Sequence, residues 1–132
     1  MICDVCGLLY RAHPGDSHLV FMYGHKEVAV DRDVLHTFAL NDCTAAAFVA
    51  GDMIHMIHHP AVDLVVAYIN RAAHKLQSPV WIKTPATRYA ADWSLIDGYA
   101  YFKEAIQADL NFLPYGRKMT IRVAQDKRIT VV

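Results

Sequence analysis

An α+β fold, an antiparallel sheet of two hairpins plus a short strand covered on one side by three helices, is predicted by three features of the sequence. Strand-like segments lie near both ends, in His18–Val30 and Met119–Val132. The middle is a long, nearly all-apolar stretch from Cys43 to His58 followed by Pro60. A third stretch, ending at Leu113, carries apolar residues at three- and four-residue spacing. Strands, then helices, then strands, with no regular βα alternation, is the pattern of helices packed on an antiparallel sheet. The 132 residues fit a single domain, 1–132, large enough to bury a core without covalent staples.

Residues 1–16 read as irregular and end in a turn, because His13-Pro14-Gly15-Asp16-Ser17 is rich in turn formers. His18–Tyr23 and Lys26–Val30 then read as a hairpin turning at Gly24-His25. Asn41 or Asp42 can cap a buried helix over 43–58, with a polar stripe through Thr44, Gly51, Asp52, His55 and His58 or His59. Pro60 opens a second helix to about Leu76, with Val62, Val65, Ile69, Ala72 and Leu76 inward. Val80–Lys83 reads as a short strand. Thr84-Pro85 starts a third helix that Gly98 can bend and Leu113-Pro114-Tyr115-Gly116 stops. Met119–Val123 and Arg128–Val132 alternate and form the second hairpin around Gln125-Asp126.

Three cysteines, two of them crowded at one end, make a poor disulfide framework and point to a reducing, cytoplasmic setting. No signal peptide is visible, and the longest apolar runs, Thr44–Ala50 and Leu64–Ile69, are too short to span a bilayer. Charge is balanced at 13 basic and 13 acidic residues, which argues against a general nucleic-acid binder. The balance is local, however. From Arg117 to Val132 there are five cations (Arg117, Lys118, Arg122, Lys127, Arg128) against Asp126 alone.

Four constellations could carry chemistry. Cys3-Asp-Val-Cys6-Gly7 puts two thiolates on a turn, and resembles the first knuckle of a zinc ribbon or finger. That resemblance implies a structural zinc completed by His18 and His25, with His13 also near; the plain alternative is two terminal cysteines that pack. Asp52, His55 and His59 fall on one side of the expected helix and could present three ligands to a catalytic metal. Helical spacing of this kind is common without a metal. Cys43, at the start of that helix, would feel its dipole, and His25 could serve as base. The pair resembles that of papain-like cysteine hydrolases, in the histidine-first order of their permuted lecithin:retinol acyltransferase-like members. A buried cysteine at a helix start is the commoner explanation. Finally, Arg122 alternates with Ile121 and Val123, so the C-terminal hairpin can offer a basic face to phosphates or to an acidic protein. A solvated edge protected by lysine and arginine has the same composition.

No phosphate-binding loop, dinucleotide fingerprint, nucleophile elbow, deaminase signature or H-E-x-x-H is present. The expectation is therefore a small non-catalytic binding or regulatory protein that docks on a macromolecular partner. The partner is expected to be a protein, with nucleic acid open through the basic hairpin, no membrane, and homodimerisation open through a sheet edge. The alternative is a small hydrolase using Cys43 with His25, or a metal at Asp52, His55 and His59.

Overall fold

The computed structural model describes residues 18–30, 34–38, 40, 43–84, 95–114 and 116–132, with the backbone alone for 95–99. The chain is mostly sheet. Its elements are β1 (Gly24–Ala29), β2 (Val34–Thr37), β3 (Thr44–Ala50), β4 (Met53–His59), α1 (Val62–Ala72), β5 (Val80–Lys83), α2 (Leu95–Ala105), β6 (Leu110–Phe112), β7 (Met119–Val123) and β8 (Ile129–Val131). Five strands form one sheet in the order β1-β4-β3-β5-β6, and three form a second in the order β2-β7-β8. The second sheet packs on one face of the first, and the helices pack on the other.

The central correction concerns residues 43–58, which form a β-hairpin and not a helix. Thr44–Ala50 is buried along its whole length, so neither face carries the polar alternation that marks a half-exposed strand. A short apolar run buried on both sides has no period of its own, and strand and helix read alike. Gly51-Asp52 decides the matter. Both residues adopt positive φ, 56° and 59°, the two-residue turn whose twist matches antiparallel strands. The register follows from it, with Ala50 opposite Met53, Phe48 opposite His55 and Ala46 opposite Ile57. A methyl on Gly51 would meet only the Lys75 side chain at 3.6 Å, so any cost of substitution lies in the backbone. Gly51→Val is expected to lower stability by about 1–2 kcal/mol, measured by urea unfolding, because a β-branched residue resists the left-handed conformation.

The N-terminal hairpin is also redrawn. Tyr23 takes φ 65° and the Gly24 amide donates to the Phe21 carbonyl at 2.8 Å. A Cβ at Gly24 would lie 2.9 Å from that carbonyl oxygen, so glycine alone fits the turn. The two arms then part. Residues 18–20 run beside β2, with Val20 N–H donating to His36 O and His36 N–H to His18 O. Strand β1 instead pairs antiparallel with β4, His25 opposite Ile57 and Glu27 opposite His55.

Among the described residues two of the three expected helices are found, both on the same face of the large sheet. Helix α1 occupies the middle of the predicted second helix and runs on into a 3-10 turn at Ala73–Lys75. It buries Val65, Val66, Tyr68 and Ile69. The chain then returns along β3, where Gln77 N–H donates to Val49 O and Val49 N–H to the Ser78 hydroxyl, each at 2.8 Å. Residues 85–94 of the third expected helix lie outside the described residues; the part that is described forms α2, and its end becomes β6, which pairs in parallel with β5. Gly98 lies inside α2 without ending it, and Thr84-Pro85, the expected start, falls at the border of the described residues. Asn70 donates to the Ala105 carbonyl at 2.9 Å, and the Tyr101 hydroxyl donates to Asp63, which ties α1 to α2.

The C-terminal hairpin forms where it was expected: Ile121 opposes Val131, and Ala124 N–H donates to Arg128 O across the turn. Its partner β2 was not expected, and the pair makes a sheet of its own.

Two apolar clusters result. Alternation sends Ala45, Ala47 and Val49 of β3 with Ile54 and Met56 of β4 against Leu35, Met119, Ile121 and Val123 of the small sheet. The opposite side chains, Ala46, Phe48, Ala50 and Ile57, pack with Val65, Ile69, Phe102 and Ile106 beneath the helices. The alanines of β3 let both layers approach it closely. Among the described residues no helix is long and apolar enough to cross a membrane.

Candidate functional site

Polar side chains gather at two places on opposite sides of the molecule. The first is a cleft of about 290 Å³ between the β1–β4 edge and the C-terminal part of α1. Strand alternation aims His25 and Glu27 from β1, and His55 from β4, at this face. Helix α1 contributes Tyr68 and Arg71, and the 3-10 turn contributes Lys75. The floor is a satisfied network. His55 is nearly buried and its ring stacks on Phe48, centroids 4.8 Å apart and planes 9° apart. Its Nε2 lies 3.2 Å from the Ala50 carbonyl, which can only accept, so Nε2 carries the proton. With Nε2 as the donor, Nδ1 is the acceptor, 3.2 Å from the Tyr68 hydroxyl.

Burial raises the Tyr68 hydroxyl above the ordinary tyrosine range, Glu27 raises it further, and Arg71 opposes them. The phenol therefore keeps its proton and donates it to His55. The Glu27 carboxylate stands 3.7 Å from the same Nδ1. Both nitrogens of His55 are occupied, and Tyr68 is the opposite of an activated nucleophile. This floor holds side chains in place; recognition falls to the rim.

The second place is the outer face of the small sheet. Because Leu35, Thr37, Met119, Ile121 and Val123 point inward, Val34, His36, Thr120 and Arg122 point out. Phe38 packs edge-on against His36 at 5.2 Å, and the Lys118 ammonium lies over its ring at 5.5 Å. Val132, beyond β8, is 65% exposed. Arg117 and Lys118 flank one end of β7, and Lys127 and Arg128 the other, at the hairpin turn. Asp126 caps the Arg128 backbone N–H at 3.0 Å. Among the described residues none of the five cations has a carboxylate within ion-pair distance.

Two buried polar groups link the layers. His58 on β4 is fully buried, its Nδ1 lies 2.7 Å from the Thr37 hydroxyl of β2, and its Nε2 has no hydrogen-bond partner among the described residues. Burial, and the neighbouring His59 to a lesser degree, push its pKa down to about 4. Lys83, at the end of β5, donates from Nζ to the Lys118 carbonyl at 2.7 Å, and burial pushes its ammonium below the usual lysine range.

The other expected constellations are dispersed. The Cys43 thiol lies in the core between the two sheets, whereas His25 faces the cleft on the far side of the large sheet. The helix start that would have activated Cys43 is absent, since the residue leads into a strand. Asp52 sits in the hairpin turn, where its carboxylate accepts from Gln77 at 2.9 Å. His55 and His59 share a face of β4 but, four residues apart in an extended chain, are separated by about 13 Å. His59 instead accepts from the Ala61 N–H and packs edge-on against Tyr23. Among the described residues no group of three or more histidine, cysteine or acidic side chains could hold a metal. Cys3, Cys6 and His13 lie outside the described residues; His18 lies beside β2 and His25 on the edge of the large sheet.

No protein-family model matches this chain, and no curated protein resembles it in sequence.

Glu27, Tyr68, Arg71 and Lys75 were not singled out in the sequence. The signal was there in two parts: His25 and Glu27 at strand spacing, and Tyr68, Arg71 and Lys75 at helical spacing, i, i+3 and i+7. Neither part means anything until β1 and α1 are placed side by side.

Proposed function

We propose that this chain is a non-catalytic binding protein that docks on an acidic protein surface through the outer face of its small sheet. The observation that supports this reading most is the set of cations around that face, Arg117, Lys118, Arg122, Lys127 and Arg128, none of which has a carboxylate within ion-pair distance among the described residues. An apolar middle of Val34, His36, Phe38 and Val132 with a basic rim has the composition of a protein interface more than of a phosphate track. The floor of the cleft, whose histidine has no free nitrogen, also fits binding better than catalysis.

The double variant Lys118→Glu/Arg122→Glu tests the reading. Both side chains are exposed, so the fold is expected to survive. Pull-down from the source cell should recover a salt-sensitive protein partner with the native chain and lose it with the variant. Recovery that is unchanged by charge reversal would contradict the proposal. Recovery abolished by nuclease would transfer the surface to nucleic acid.

A further inference from the structure

The cleft over His55 is on the opposite side of the large sheet from the docking face, and its rim has a polarity of its own. On the β1 wall stands the Glu27 carboxylate, half exposed. On the other wall stand the Arg71 guanidinium and the Lys75 ammonium, both exposed. Neither cation is within ion-pair distance of Glu27 or of another carboxylate among the described residues. Opposite charges that face one cleft without meeting leave each with unused hydrogen-bonding capacity. A simple anion would be drawn to the helix wall and repelled by Glu27, and a simple cation the reverse. A ligand carrying both charges satisfies both walls.

We propose that this cleft binds a small zwitterion of the amino-acid class, its carboxylate on Arg71 and Lys75 and its ammonium on Glu27. Arginine suits a carboxylate because its planar fork donates two parallel hydrogen bonds. The Tyr68 ring, 5.9 Å from the Arg71 guanidinium carbon and 4.9 Å from the His25 ring centroid, backs the two rim groups. The volume of about 290 Å³ lies at the small end of ligand pockets, which suits a single amino acid. Ala50, Met53 and Ala72 supply the apolar surface on which its side chain would rest.

Isothermal titration of the intact protein with each common amino acid tests this, followed by the decarboxylated and the deaminated analogue of the tightest binder. The expected result is saturable binding of at least one amino acid, with each analogue weaker by about tenfold or more. Glu27→Gln and Arg71→Gln should each weaken binding to a similar degree while leaving the circular dichroism spectrum unchanged. Lys118→Glu/Arg122→Glu should bind as the native chain does, which keeps this result separate from the docking proposal. No binding of any amino acid at millimolar concentration would overturn the proposal. So would a deaminated analogue that binds as tightly as its parent, which marks a plain anion site, or affinity unmoved by either variant.

Discussion

Phe48→Ala is expected to cost about 3–5 kcal/mol of stability, the range for emptying a buried aromatic position. Phe48 lies in the middle of β3, is fully buried, and belongs to the cluster that joins the large sheet to both helices. Its ring also carries the stacked imidazole of His55 and lies 5.8 Å from the Tyr68 ring. The alanines at 46 and 50 on the same face of the strand are too small to move into the space. The loss should therefore exceed the transfer energy of the ring alone. Phe48→Leu, which keeps most of the volume, should cost less than about 1.5 kcal/mol. Urea unfolding of both variants decides the point. A loss below about 1 kcal/mol for the alanine variant would mean that the layers do not close on this residue.

The second large effect is on pH. His58 has an ordinary pKa of 6.5 when unfolded and about 4 when folded, because its ring is buried and, to a lesser degree, because His59 stands beside it. Between those values the unfolded chain binds the proton and the folded chain does not. Stability is thus full above pH 6.5, falls as pH drops toward 4, and gains nothing further from this group below that. A shift of that size corresponds to roughly 3 kcal/mol at 1.36 kcal/mol per unit. His58→Asn keeps an N–H beside the Thr37 hydroxyl but removes the titration. Unfolding free energies measured from pH 7 to pH 4 should fall more steeply for the native chain than for this variant. Parallel curves would show that His58 is not the group responsible. His59, also pushed down by burial but half exposed, should contribute less.

How much of this was legible beforehand varies from element to element. The C-terminal hairpin was, because Met119–Val123 alternates buried and exposed residues and is followed by a polar turn. Alternation on a sheet with one wet face leaves a period that survives in the sequence. Helix α1 was legible in position for the same kind of reason, since Val62, Val65, Ile69 and Ala72 keep one face apolar. The Thr44–His59 hairpin was not. Buried on both sides, it has no wet face to imprint a period, and its alanines favour the helix by intrinsic propensity. Gly51-Asp52 was read as part of a polar stripe when it was the turn.

That one difference moves the candidate site. As a helix, 43–58 brings Asp52, His55 and His59 to one side and gives Cys43 a dipole. As a hairpin, it sends Asp52 to a turn, parts His55 from His59, and buries Cys43 between sheets. His55 remained a functional candidate, but with different neighbours.

By itself, then, the sequence determined the basic C-terminal ribbon, the place of α1, and the outward direction of Arg122. These are local properties, set by the polarity of residues two to four apart. The tertiary structure alone decided that β1 pairs with β4, that the chain builds two sheets, and that Glu27 faces Arg71 and Lys75 across a cleft. Those juxtapositions join residues dozens of positions apart, and no local period records them. They are set by which doubly buried strand the other layers must cover, and β3 is that strand.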